Sequence, residues 1–202
     1  MEWELARSIR DGVRPARTMH PMAERTVLLI GLRGSGKSTI GREFAAASGR
    51  TFIDLDELTL VRLGTESVAE AWARFGESAF RAAERDELDR VLRSRPSGRA
   101  VVALGGGTPT APGADDLIRG AVASGRVSAL YLRARPDTLR ARLAASDHSD
   151  RPSLTGAGTL AEVEQVFNAR DGLYREIASI VIETDDLDKA GVVAAIEAAV
   201  GA

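Results

Sequence analysis

The chain has 202 residues, 44% of them apolar and 28% charged, with a formal net charge of −2; this is the balance of one globular domain that can bury a core unaided. That charge argues against bulk binding of nucleic acid or an anionic membrane, yet leaves room for a local basic pocket around a small anion. With no cysteine, disulfides, thiolate catalysis and cysteine-ligated zinc are excluded, and with no apolar run near the length of a membrane span the chain reads as cytoplasmic.

Residues 1–23 read as a poorly ordered N-terminal extension, because Arg7, Arg10, Arg14 and Arg17 mix with Glu2, Glu4 and Asp11 and are interrupted by Gly12 and Pro15. Met19 and Met22 offer alternative starts, and a short helix docking Leu5 and Ile9 onto the body is the competing expectation. The folded domain is expected over 24–202. It opens with the continuous apolar run Val27-Leu28-Leu29-Ile30, the pattern of a strand buried on both faces.

A helix is expected from Ser38 to Ser48 with Ile40, Phe44 and Ala47 inward, stopped by Gly49. A second strand follows at Thr51–Asp54, then a short helix at Glu57–Leu63 for which Asp56 is a candidate cap. Ser67 and Glu70 have capping-box spacing and open a helix carrying Val68, Ala71, Trp72 and Phe75 on one stripe. A long helix is predicted over 77–93. Strands at Ala100–Leu104, Ser128–Leu132 and Ile180–Glu183 alternate with helices near 115–124, 136–146 and 160–178, and a last helix starts near Leu187. Such alternation predicts an α/β three-layer sandwich: a central parallel sheet of about five strands with helices on both faces.

The chemistry-bearing signals fall at the carboxyl ends of these strands. Gly31-Leu32-Arg33-Gly34-Ser35-Gly36-Lys37-Ser38 matches G-x-x-x-x-G-K-[ST] between a buried strand and a helix. Glycines let backbone N–H groups converge on phosphate oxygens, Lys37 is placed for the β- and γ-phosphates, and the Ser38 hydroxyl for Mg²⁺. Asp54 and Asp56 end the second strand two positions apart, so both look into one cleft. Arg81 and Glu84 share a helical stripe with Leu88 and Leu92, which suggests a guanidinium fixed by the carboxylate on one edge and open on the other. Gly105, Gly106 and Gly107 end the third strand as a backbone that a ligand can touch directly. The third strand lacks a terminal Asp, which makes Asp54 the candidate for supporting the metal. Arg151 lies in a polar, glycine-bearing stretch near 146–158 with the look of a lid, where His148 reads as a solvated loop residue. Arg170 occupies an apolar stripe with Leu160, Val163, Phe167 and Tyr174, a position that calls for an anionic partner.

In order and spacing these residues resemble the shikimate kinase family, from Thr26 to the end of the chain. The match rests on Gly31–Thr39 with Gly41, Phe52 to Asp56, Gly76-Glu77 with Phe80-Arg81 and Glu84, and the triple glycine. It continues through Arg151-Pro152 with Leu154, and Arg170 with Leu173-Tyr174, Glu176 and Ala178. The resemblance implies a P-loop kinase fold with a lid segment and an enzyme of aromatic amino acid biosynthesis. It implies transfer of the γ-phosphoryl of ATP to the 3-hydroxyl of shikimate, with Mg²⁺ as cofactor and the small-molecule acceptor as partner. It places Asp56, Arg81, Gly106 and Arg170 at shikimate, with Gly105 and Gly107 beside them. Gly34, Ser35, Gly36, Lys37, Ser38, Thr39 and Arg151 fall to ATP, Arg142 to adenine, and Ser38 with Asp54, through water, to Mg²⁺. Lys37, Asp54, Asp56 and Arg151 are the expected catalytic group, in a protein expected to be monomeric.

The sequence departs from the family pattern at Arg33, an extra charge inside the P-loop, at Ser153, at Trp72 in place of a common Phe, and in a long segment between Leu143 and Arg151. Gluconate kinases share the P-loop, but the His- and Asn-containing motif expected after their second strand is missing; adenylate kinases usually follow the lysine with Gly-Thr, not Ser-Thr. A third alternative is a ligand-sensing module that kept the pocket without catalysis. Retention of Lys37, Ser38, Asp54 and Asp56 argues for a working kinase.

Overall fold

The computed structural model describes residues 24–94, 99–145 and 160–201. The expectations for the N-terminal extension, for His148 and for the lid with Arg151 lie outside these residues. Five parallel strands form one sheet: β1 Thr26–Ile30, β2 Thr51–Asp54, β3 Ala100–Ala103, β4 Val127–Arg133 and β5 Ile180–Glu183, in the order β2-β3-β1-β4-β5. Among the described residues the helices are α1 Lys37–Ser48, α2 Leu55–Leu63, α3 Val68–Ser94, α4 Ala114–Ala123, α5 Pro136–Ala144, α6 Val163–Ile177 and α7 Lys189–Val200.

Side chains alternate across a strand, and this sheet uses both faces. Leu28, Ile30, Val102, Ala129 and Tyr131 pack with Leu55 of α2, Leu88 of α3, Ile118 of α4, Leu139 of α5 and Tyr174 of α6. Val27, Leu29, Val101, Leu130 and Leu132 pack on the opposite face with Phe44 of α1 and Ile196 of α7. Double burial explains why β1 reads as an unbroken apolar run rather than an alternating one. In-register pairing of Leu28 with both Val102 and Ala129 places β1 at the centre. The turn after β1 therefore emerges mid-sheet at the carboxyl edge, where open α/β sheets form their clefts.

Several local expectations shift. The helix after β2 begins at Leu55, and its cap is Asp54, whose carboxylate accepts from the Asp56 backbone N–H at 3.1 Å. Asp54 still has extended backbone at the strand end, the conformation a cap requires; Asp56 is thereby inside the helix rather than capping it. Ala47 is exposed and Ala45 takes its place beneath α1. Phe75 is 42% exposed, and Leu160 is equally exposed in a turn ahead of α6 rather than on its stripe. The two helices expected around Gly76 form one element, α3, interrupted at Gly76 with φ 80° and ψ 161°. Val68, Ala71 and Phe80, from both sides of this break, make a small core of their own with Leu60, Leu63 and Trp72 around it.

Candidate active site

The turn from Gly31 to Gly36 is shaped by backbone that only glycine adopts easily, with φ of 84° at Gly34 and 89° at Gly36. It feeds into the N-terminus of α1, so the unpaired N–H groups of the first helical turn face the same hollow. Lys37 is 8% exposed and folds back over the loop, donating to the Leu32 carbonyl at 2.9 Å and to Ser35 Oγ at 3.3 Å. Ser38 donates to Asp54 Oδ2 at 2.8 Å. One carboxylate thus caps α2 with one oxygen and holds the P-loop serine with the other.

A pocket of about 800 Å³ lies over this loop, within the range of small-molecule sites. Gly34, Ser35, Gly36, Lys37, Ser38 and Thr39 line its floor. Arg142 stands at its far end, its guanidinium donating to Thr184 Oγ1 at 3.1 Å and to the Thr184 carbonyl at 2.7 Å. Thr184, Asp188 and Lys189 on the same wall were not singled out by the sequence. Thr184 and Asp188 follow β5 in an undistinguished turn and Lys189 opens α7, and only the sheet order brings them beside a loop that follows β1.

A second, smaller pocket is lined by Asp56, Arg81, Glu84, Gly106 and Arg170, with an apolar side that includes Trp72. Gly106 and Gly107 line its wall, and all three glycines are constrained by close approach. A Cβ on Gly105 would strike Asp56, Glu84 and Thr108; one on Gly106 would lie 3.0 Å from the Arg33 backbone N; one on Gly107 would enter the Arg81 guanidinium. The sequence motif is therefore a strap pressed between four side chains and the P-loop.

Arg81 is gripped on both edges. Nη1 donates to Glu84 Oε2 at 2.6 Å, as the helical spacing suggested, but the opposite edge is not open: Nε and Nη2 reach Glu77 Oε1 at 3.3 and 3.2 Å. Burial works against the Arg81 charge, yet Glu84 and Glu77 outweigh it and raise the guanidinium further above its ordinary value. The Trp72 ring lies 5.5 Å from Arg81 Cζ, adding a cation–π contact. Glu84 is 1% exposed and accepts from Thr108 Oγ1 at 2.7 Å; burial, with Asp56 nearby, pushes its carboxyl up despite these donors.

Arg170 donates from Nη1 to the Gly106 carbonyl at 2.8 Å, and the Tyr174 hydroxyl donates to the same oxygen at 2.7 Å. Burial pushes the Tyr174 phenol up to about 12, so it stays a donor throughout the physiological range. Both residues lie one helical turn apart on α6, which explains how a single carbonyl orients an arginine from a distant part of the chain. The structure thus gathers Lys37, Ser38, Asp54, Asp56, Arg81, Arg142, Arg170 and the glycines around two adjoining pockets. Thr108 was not recognised as a site residue in the sequence because its contact with Glu84 bridges elements, and Glu77 because its i,i+4 pair with Arg81 is of an ordinary helical kind.

Magnesium in phosphate sites keeps most of its waters and takes few protein ligands. Among the described residues no cluster of three or more acidic or histidine side chains could hold a metal unaided, whereas the Ser38–Asp54 pair at the phosphate-binding loop suits a phosphate-bound cation. Among those residues, too, no helix is long and apolar enough to cross a membrane.

A parallel sheet with a phosphate-binding loop at its central strand and an arginine-lined pocket alongside defines a P-loop kinase of small molecules. The family model described as shikimate kinase matches residues 33–200. A shikimate kinase of Paramagnetospirillum magneticum is 35% identical, covering 86% of this chain and 83% of the relative. Shikimate kinase 2 of Yersinia enterocolitica is 38% identical over 78% of this chain and 86% of its own. The chain belongs to the shikimate kinase family. Among solved structures, shikimate kinase from Acinetobacter baumannii in complex with shikimate superposes with a TM-score of 0.75 at 25% identity, covering 88% of this chain and 93% of that one. A gluconokinase from Sinorhizobium meliloti, with a TM-score of 0.52 and 17% identity over 88% of this chain and 91% of its own, shares the fold alone.

Proposed function

We propose that residues 24–202 form the catalytic unit of a cytoplasmic kinase that transfers the γ-phosphoryl of ATP to the 3-hydroxyl of shikimate. The observation that carries this reading is the meeting of the two pockets at Asp56 and Gly106, which line both. A hydroxyl held at Asp56 from one pocket faces a phosphoryl group delivered from the other.

The acceptor oxygen forms a new bond to Pγ as the bond from Pγ to the bridging oxygen breaks. ADP departs with that electron pair, and the hydroxyl proton passes to the Asp56 carboxylate. Arg81 and Arg170 pin the acceptor carboxylate through charge-assisted hydrogen bonds of about 1.5–3 kcal/mol each. Lys37 leaves the Leu32 carbonyl to neutralise the β- and γ-phosphates, and the loop N–H groups hold their oxygens. Ser38 and Asp54 would hold the Mg²⁺ that arrives with ATP, and the ion would supply charge neutralisation at the phosphates. Arg142 packs against adenine, and Arg151, outside the described residues, is the remaining residue proposed at ATP.

An ADP-release assay across shikimate, quinate and gluconate tests the acceptor. Shikimate is expected to exceed the others by at least about tenfold in kcat/KM, which corresponds to about 1.4 kcal/mol. Equal rates on gluconate or quinate refute the acceptor assignment and leave the kinase assignment standing.

A further inference from the structure

Asp56, Gly106 and Arg33 line both pockets. The first two are accounted for by the acceptor hydroxyl and the strap; Arg33 is the P-loop residue for which the nucleotide-binding motif supplies no role. Among the described residues it is also the only cation bordering both spaces, since Lys37 and Arg142 line the phosphate side and Arg81 and Arg170 the acceptor side. Its position is fixed by the backbone. The Arg33 N–H lies against Gly106, where a Cβ would stand 3.0 Å away, so residue 33 sits at the contact between the loop and the strap. Its side chain is half-buried in the unliganded protein.

We infer that Arg33 is a further catalytic residue, whose guanidinium meets the transferring phosphoryl as it crosses between the pockets. This inference rests on the kinase reading above. Negative charge on the equatorial oxygens of the phosphoryl must be met throughout the crossing. Lys37 serves the departing side of the path. A planar guanidinium at the junction engages two of those oxygens at once, the geometry for which arginine is suited and lysine is not. The balance of the step is unchanged: Arg33 neither gives nor takes a proton, and stabilises charge while the acceptor O–Pγ bond forms and the bond to ADP breaks.

The test compares Arg33→Met, Arg33→Lys and Arg33→Ala with the wild type in steady-state kinetics, with calorimetric titration of shikimate and of an ATP analogue. Arg33→Met is expected to lower kcat by about 100–1,000-fold, the scale for losing one donor to a developing anion, while both binding constants stay within about threefold. Arg33→Lys is expected to fall between, and millimolar guanidinium to restore part of the activity of Arg33→Ala. A kcat for Arg33→Met within about twofold of wild type overturns the inference. So does a rise in shikimate KM at unchanged kcat, which would make Arg33 an acceptor-binding group. Loss of activity in all three variants with a lowered melting temperature and no guanidinium rescue would make it structural, and also overturns the inference. If shikimate is not the acceptor but another hydroxy acid is, the kcat effect is read with that acid, so the two assignments fail separately.

Discussion

Replacing Glu77 with Gln is expected to tighten acceptor binding. Arg81 offers two edges: the inner one is taken by Glu84, itself 1% exposed, and the outer one by Glu77 through a single oxygen at 3.2–3.3 Å. The Glu77 side chain is 47% exposed, and ion pairs of that kind contribute about 0.2–1 kcal/mol. An acceptor carboxylate must displace Glu77 before it can use the outer edge. Removing the competing charge therefore returns up to about 1 kcal/mol to binding, or a fall of up to about fivefold in shikimate KM. Preorganisation is not lost, because Glu84 and the Trp72 ring still hold the guanidinium. Steady-state kinetics with shikimate varied at saturating ATP provide the measurement, with kcat and the ATP KM expected to change little. A raised shikimate KM would refute the reasoning, since Glu77 would then be part of the acceptor site rather than its competitor.

Asp56→Asn is expected to reduce kcat more than it raises shikimate KM, because the carboxylate takes the hydroxyl proton; Asp54→Asn is expected to shift the Mg²⁺ requirement and to weaken the α2 cap. Exchanged phenotypes in kinetics with Mg²⁺ varied would reverse the two roles. A third expectation concerns stability at acid pH. Burial tends to raise the Asp171 carboxyl, but hydrogen bonds from Arg133, Arg175 and Tyr131 outweigh it and hold the group below its ordinary value. A carboxylate lowered in the folded state stabilises above its unfolded pKa, and that contribution fades as the pH falls through the folded one. Urea unfolding between pH 6 and 3 is expected to show a steeper loss for wild type than for Asp171→Asn, and parallel curves would count against it.

Much of the fold was legible because its signals are local. An apolar run such as Val27 to Ile30 reports a doubly buried strand by itself, and β2 and β5 fall where the sequence places them. Errors arose where tertiary contacts decide. Ala45 and Ala47 are equivalent in composition, and only the packing of α1 against the sheet selects the first. Leu160 fits the period of α6, but the helix starts too late to include it. At the site, Arg81, Glu84 and Arg170 stood out because charge on an apolar stripe is costly and therefore conspicuous. Thr108, Thr184 and Glu77 carry no such mark. Thr108 and Thr184 matter through partners 24 and 42 positions away, Glu84 and Arg142, and Glu77 through an i,i+4 pair with Arg81 that looks like any exposed helical ion pair.

The bend in α3 brings Trp72 and Arg81 together at the smaller pocket. Trp72 and Arg81 are nine positions apart, and an uninterrupted helix would separate them by roughly 13.5 Å along its axis. In the folded chain the guanidinium carbon stands 5.5 Å from the indole ring. The difference comes from Gly76, whose φ of 80° and ψ of 161° lie in territory essentially reserved for glycine, although a Cβ there would meet nothing within 4 Å. The constraint at this position is conformational and not one of space. Gly76 thus converts two stretches of one rod into facing walls, and straightening the rod would abolish the enclosure while leaving every lining residue in the sequence.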